Sequence, residues 1–125
     1  MALASGWLIA VIVYMLGAAV ALLTVCGIPL GSPACEAGPA YLTLNFGFAA
    51  AGAIMGGYTA ARLGCSEPVV HALVLAAVLA GFALWGFSKP GSQWPVWYPW
   101  ALALVGAGGA SVGGMLRKAR QGQGR

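Results

Sequence analysis

The sequence predicts an all-α integral membrane bundle of four transmembrane helices, and three observations support this. Hydrophobic residues make up 61% of the chain and charged residues only 6%, whereas a soluble domain usually carries about a quarter charged residues. The apolar residues fall into four runs, each close to the roughly 20 residues that a helix needs to cross a bilayer core of about 30 Å. Short stretches rich in proline and glycine separate most of these runs.

The four runs are the predicted membrane spans. They cover about residues 7–25, 41–61, 69–87 and 96–116. Together they form one domain over residues 1–116, followed by a basic tail at 117–125 that we expect to be cytoplasmic and disordered. A signal peptide is the alternative interpretation of the first run, but such a peptide begins with a positive region, and no Lys or Arg precedes Arg62. We therefore predict a membrane helix there.

The basic residues predict the orientation of the bundle. Five of the six Lys and Arg residues are Arg62 or lie in the tail, and the loops at 26–40 and 88–100 contain only Lys89. Since positive residues stay on the cytoplasmic side, we expect both termini to be cytoplasmic in a bacterial inner membrane.

Aromatic residues cluster just before and at the start of the fourth span, on the predicted outer side. They are Trp94, Trp97, Tyr98 and Trp100. This composition is typical of the aromatic belt that lies at a membrane–water interface.

The net charge of +4 could in principle indicate a nucleic-acid partner. Its concentration in a short tail beside a hydrophobic helix instead favours contact with anionic lipid, so we expect membrane lipid as a partner and no nucleic acid.

A weak internal repeat relates the second and fourth spans. When the sequence is shifted by 57 positions, Tyr41 aligns with Tyr98, and the G-x-x-x-G-G motif of the second span aligns with the same motif in the fourth. Basic residues follow the motif in both spans. The repeat is parallel, since the aligned spans are two helices apart. A duplicated helical hairpin would explain it.

Small residues at a spacing of four mark one face of each repeated span. Gly52 and Gly56 form one pair, and Gly109 and Gly113 the other. Such faces let helix backbones approach closely in a membrane, so we expect packing within the chain, with a docking face for a second protein or a pigment as the alternative. Asn45 is expected to form a hydrogen bond between helices, and a ligand contact is the alternative.

His71 is the only histidine. An imidazole in a membrane can ligate haem or chlorophyll, but a second histidine ligand would have to come from another subunit. We expect His71 to be an interfacial residue and the protein to hold no cofactor.

The cysteines predict a structural bond rather than redox chemistry. Cys26 and Cys35 lie nine positions apart on the predicted outer side, where an oxidising compartment would permit a disulfide. Cys65 lies on the reducing side and is expected to be free. The sequence contains no C-x-x-C, so neither a redox motif nor a zinc site is indicated, and we predict no metal site.

The spans contain no Asp or Glu. Proton-coupled transport usually relies on an intramembrane carboxylate. The small multidrug transporters have a glutamate in their first span, the vitamin K reductases need C-x-x-C, and the four-span glutathione and eicosanoid enzymes have Arg- and Glu-bearing helices. All of these features are missing from the sequence.

We therefore expect no enzyme and identify no catalytic residue or soluble substrate. The sequence favours a non-catalytic accessory or scaffold subunit of a larger membrane complex, such as a respiratory or photosynthetic one, with other integral membrane subunits as partners. The alternative is a small homo-oligomeric transporter or channel.

Two short motifs resemble a known group. The second span ends in G-G-Y-x-x-A-R-L at 56–63, and Trp97-Tyr98 lies at the very start of the fourth span. These motifs resemble those of small bacterial four-helix integral membrane proteins. The resemblance implies the same fold and a bacterial membrane, and it implies no activity.

Overall fold

The computed structural model describes residues 1–26, 38–64, 67–87 and 94–123. Within these residues the chain is all-helical. Helix α1 (Ala2–Ala21) continues into a π-helical turn (Leu22–Cys26), and α2 (Pro39–Leu63), α3 (Pro68–Phe87) and α4 (Tyr98–Gln123) follow. The prediction of an all-α chain with four helices is confirmed for this part of the sequence.

Proline and glycine delimit the second helix and begin the third. Pro39 occupies the first turn of α2, after Gly38 in an extended conformation, because a first-turn residue needs no N–H donor and proline already has helical φ. Gly64 follows the last residue of α2, and its N–H donates to the carbonyl of Ala60 at 2.9 Å. Helix α3 begins at Pro68.

The last helix is longer than the sequence predicts. We expected residues 117–125 to be disordered, but α4 continues to Gln123. Arg, Lys, Ala and Gln are good helix formers, and basic residues near a helix C-terminus interact favourably with the helix dipole. The guanidinium of Arg120 also lies 5.7 Å from the ring centroid of Tyr58 on α2, so the added turns contact the bundle.

Among the residues that the structure describes, three helices are long and apolar enough to cross a membrane, over Ala2–Val25, Val69–Gly86 and Tyr98–Gln123. Helix α2 is the exception, because Asn45 and several glycines lower its hydropathy. It is also deeply buried: ten of its 25 residues are buried, compared with four of 20 in α1. Helix α2 is therefore covered by the other helices to a larger extent than α1 is.

Helix α2 lies at the centre of the bundle. It packs extensively against α1 on one side and α4 on another, and α3 packs mainly against α4 with a smaller contact to α2. Helices α1 and α3 touch only marginally. This arrangement leaves a space between α1 and α3, with α2 and α4 beneath it.

Glycines allow the close approach of α1 and α2. A Cβ atom placed at Gly56 would lie 2.5 Å from the carbonyl oxygen of Gly6, and one placed at Gly52 would lie 2.9 Å from that of Ala10. These distances are too short for any side chain, so the first predicted glycine face packs against α1.

The second glycine face packs against α2. A Cβ atom at Gly113 would lie 2.2 Å from the carbonyl oxygen of Ile54, and one at Gly109 would lie 2.8 Å from the Cβ of Ala53. The two faces that align in the repeat therefore have different neighbours. Since both are covered within the chain, neither face is open to a second protein or a pigment.

Candidate functional site: an apolar groove beside a buried polar cluster

A groove of about 380 Å³ lies between α1 and α3. All four helices contribute to its lining, and nearly every lining atom is carbon. The lining residues are Trp7, Ala10, Val11, Tyr14, Met15, Ala49, Ala53, Leu79, Phe82, Ala83, Leu102 and Gly106. No charged residue is among them, so the groove is suited to an apolar occupant.

The floor and the rim of the groove differ in side-chain size. Ala49 and Ala53 of α2 and Gly106 of α4 form a floor of small residues. On the rim, Met15 of α1 is 60% exposed and Phe82 of α3 is 52% exposed. The groove therefore opens on the flank of the bundle, between two helices that are each apolar enough to span a membrane.

An aromatic pair bridges the two walls. The ring centroids of Trp7 on α1 and Phe82 on α3 lie 5.8 Å apart, with the planes tilted by 41°. Aromatic pairs at such distances contribute about 0.5–1.5 kcal/mol beyond the area they bury. This pair supports the weak contact between α1 and α3.

Asn45, Tyr14 and Tyr98 form a polar cluster about one helical turn from the floor of the groove. Asn45 is four residues before Ala49 on α2, and its Nδ2 donates to the hydroxyl of Tyr14 at 3.3 Å and to the hydroxyl of Tyr98. Asn45 is 1% exposed and Tyr98 is 0% exposed. The predicted interhelical role of Asn45 agrees with these bonds, which connect α2 to α1 and to α4. The side chain does not line the groove.

The other polar atom of this amide has no partner. Oδ1 of Asn45 is buried, and no hydrogen-bond donor among the described residues reaches it. Turning the amide by 180° would place its nitrogen there instead, so one buried polar atom lacks a partner in either orientation. Leaving such an atom unpaired costs about 1–3 kcal/mol.

Aromatic rings surround the cluster on the predicted outer side. Trp94 stacks on Tyr98 with centroids 4.9 Å apart and on Tyr41 with centroids 6.1 Å apart. Tyr41 and Tyr98 are the tyrosines that align in the repeat, and a single tryptophan contacts both.

One predicted belt residue belongs to the core. Trp97 and Trp100 are 54% and 63% exposed, as a membrane-interface position requires, whereas Tyr98 is fully buried. The reason is the hydrogen bond to Asn45, which holds the hydroxyl of Tyr98 inside the bundle. Trp94 is half-buried against Tyr98 and Tyr41.

His71 lies away from the groove, in the first turn of α3. Its Nδ1 is 2.8 Å from the carbonyl oxygen of Glu67, so Nδ1–H donates to that oxygen. The ring also packs against Gly64, where an added Cβ would come within 2.6 Å of it. The ring thus joins the end of α2 to the start of α3, and a cofactor at His71 stays a hypothesis.

The predicted disulfide lies outside the described residues. Cys35 is in the part of the chain that is not described, and Cys26 ends the π-helical turn. Their pairing stays a prediction. Within the described ranges, His, Cys, Asp and Glu side chains do not form a group of three that could hold a metal ion.

Basic residues meet at one end of the bundle. Arg62 is in the last turn of α2, and Arg117, Lys118 and Arg120 are in the last turns of α4. The contact between Arg120 and Tyr58 shows that these two helix ends are adjacent. The charges that predict the cytoplasmic side therefore lie together.

Neither Tyr14 nor the groove is predicted from the sequence. A signal for Tyr14 was available, because an amide inside a membrane span needs a polar partner and the first span offers Tyr14 and Thr24 as candidates. Thr24 instead donates to the carbonyl of Val20 at 2.8 Å. The groove left no comparable signal, because its lining residues are ordinary apolar residues of four separate runs.

Comparisons with protein-family models, with curated proteins and with solved structures find no match to this chain. The groove can accept a hydrocarbon, and the polar cluster connects three helices beside it.

Proposed function

We propose that this chain is a four-span protein of the bacterial inner membrane that acts as a non-catalytic accessory subunit of a larger membrane complex. Helix α2 crosses the membrane as well in this proposal, in addition to the three helices named above. Its glycines and Asn45 are compatible with spanning, because α1, α3 and α4 pack against it. The resemblance of its G-G-Y-x-x-A-R-L end to small bacterial membrane proteins supports the same location.

The observation on which the accessory role rests is a set of glycines that face outward. A Cβ atom placed at Gly47, Gly81 or Gly108 would meet nothing within 4 Å. A glycine inside a helix is less favourable than alanine by about 0.5–1 kcal/mol, and packing within the chain does not offset that cost at these positions. In membranes, small residues let a neighbouring helix approach closely.

Gly108 lies in a notch between larger side chains. Leu104 and Val112, one turn to either side of it on α4, are 75% and 46% exposed. A helix of a partner subunit could place its backbone against Gly108 and contact both neighbours. The docking surface in this proposal is thus formed by outward glycines, and not by the Gly52–Gly56 or Gly109–Gly113 faces.

Native gel electrophoresis of gently solubilised membranes tests the accessory role. The chain should migrate in a band far heavier than 12.6 kDa, together with other polypeptides. Gly108→Leu should fill the notch and remove the chain from that band. Val20→Leu is the matched control, because Val20 is an exposed apolar residue on α1, which carries none of these outward glycines, and the change leaves the notch open.

The thermal stability of both purified variants separates loss of docking from loss of folding. Both should unfold near the wild-type temperature, because Leu at either position points away from the bundle. A wild-type-sized complex in Gly108→Leu and in Gly81→Leu would contradict the proposal. A pure homo-oligomer that moves a solute across liposomes would favour a transporter instead.

A further inference from the structure

We propose that the groove between α1 and α3 binds the acyl chain of a membrane phospholipid. This site is separate from the outward glycines, so it does not depend on whether the chain is an accessory subunit. Three features of the groove support this binding: its size, its surroundings and the chemistry of its lining.

The groove is too small to enclose a protein helix. Its lining extends from Trp7 to Met15 along α1, which is about 12 Å at the helical rise of 1.5 Å per residue. A helix of that length with a diameter of about 10 Å occupies roughly 900 Å³, well above the groove volume of about 380 Å³. A helix would therefore lie mostly outside the groove, whereas a single extended hydrocarbon chain can lie within it.

The surroundings of the groove supply such chains. Met15 and Phe82 on its rim are more than half exposed, on two helices that are apolar enough to cross a membrane. In a bilayer, the medium that meets this rim is lipid hydrocarbon. An empty groove would leave its lining atoms without van der Waals partners, so an acyl chain that enters recovers those contacts.

The lining favours the acyl chain of a phospholipid over its polar head group. Among the lining residues, Tyr14 and Trp7 are the two whose side chains carry an O–H or N–H group, and the Tyr14 hydroxyl already accepts a hydrogen bond from Asn45. A phosphate or a charged head group would find no counter-charge in the groove. We therefore expect retention to depend on chain length and not on head-group charge.

Native mass spectrometry of the full chain in detergent tests this site. The protein is delipidated and then mixed with palmitoyl-oleoyl phosphatidylglycerol, palmitoyl-oleoyl phosphatidylcholine or dihexanoyl phosphatidylcholine. At high ionic strength, which screens contact of anionic lipid with the basic tail, one molecule of either long-chain lipid should remain bound per chain, to the same extent for both head groups. The dihexanoyl lipid should be retained far less, because its chains are too short to fill the groove.

Filling the groove should remove the lipid. A Cβ at Gly106 would meet only Leu79, at an ordinary contact distance of 3.5 Å, so Gly106→Leu extends into the groove without a clash at its base. The bound fraction should fall about tenfold, the change that a loss of about 1.4 kcal/mol produces. Gly108→Leu on the same helix points into open space and should retain lipid as the wild type does.

A second pair of variants tests the same site in case Gly106→Leu does not fold. Val11→Phe narrows the groove from the opposite wall, and Ile12→Phe alters the neighbouring exposed position. Only the first should lose lipid. The proposal is overturned if both groove-filling variants retain the long-chain lipid, if retention follows head-group charge, or if the wild type retains several lipids without a preferred number.

Discussion

The side-chain amide of Asn45 donates a hydrogen bond to the hydroxyl of Tyr98, and this bond connects the two central helices of the bundle. Both side chains are enclosed, at 1% and 0% exposure. The same amide also reaches Tyr14 on α1. Asn45 thereby connects α2 to both α1 and α4, next to the groove.

We predict that Tyr98→Phe destabilises the protein more than Tyr14→Phe. Removing the Tyr98 hydroxyl leaves a buried N–H of Asn45 unpaired, which should cost about 1 kcal/mol. Tyr14 is only half-buried and its bond is longer, at 3.3 Å, so its loss should cost less. The measurement is the free energy of unfolding in mixed detergent micelles, followed by circular dichroism.

Tyr58→Phe is the control for these two variants. The Tyr58 hydroxyl accepts only a long contact of 3.5 Å from exposed Arg120, so its removal should change stability little. Equal stability of all three variants would mean that the Asn45 bonds contribute nothing to the bundle.

We also predict that alanine is too large at the packed glycines. A Cβ at Gly113 would lie 2.2 Å from the carbonyl oxygen of Ile54 and 2.6 Å from the N of Tyr58. Both atoms belong to the backbone of α2 and cannot rotate away, so α4 must move outward. Gly113→Ala should cost about 1–3 kcal/mol, as overpacking of a tight core does. Gly56→Ala should behave alike against Gly6 of α1.

Gly108→Ala provides the matched comparison, because nothing lies within 4 Å of its Cβ position. Alanine is a better helix former than glycine by about 0.8–1 kcal/mol, so this variant should equal or exceed the wild-type stability in the same detergent. Thermal unfolding of the three alanine variants side by side checks the prediction. A Gly113→Ala protein as stable as Gly108→Ala would place Gly113 away from any helix contact.

Apolar runs bounded by proline and glycine were enough to locate the helices. The predicted second and third spans, 41–61 and 69–87, differ from α2 (Pro39–Leu63) and α3 (Pro68–Phe87) by two residues at most. Such boundaries depend on local chemistry, which a sequence contains. Helix α1 instead begins at Ala2, five residues before the predicted span, and Ser5 donates to the carbonyl of Met1 in its first turn.

The choice of neighbours could not be predicted in the same way. Gly56 and Gly113 occupy equivalent positions in the repeat, yet Gly56 packs against α1 and Gly113 against α2. Spacing places residues on one face of a helix, but the helix that covers this face is determined by the whole bundle. For the same reason Tyr98 was predicted at the membrane surface, and its partner Asn45, 53 residues earlier in the chain, places it in the core.

The last prediction concerns the number of spans and their orientation. Alkaline phosphatase is active only outside the cytoplasm, so fusions report the side on which each junction lies. The basic residues at the ends of α2 and α4 predict that these ends are cytoplasmic. Fusions after Gly64 and after Arg125 should be inactive, and a fusion after Gly38 should be active.

If α2 did not cross the membrane, the Gly38 fusion would still be active, but the Gly64 and Arg125 fusions would become active as well. The reverse pattern at all three junctions would invert the orientation. The three fusions therefore separate four spans from three and test the direction of the bundle, with equal expression of each fusion protein as the control.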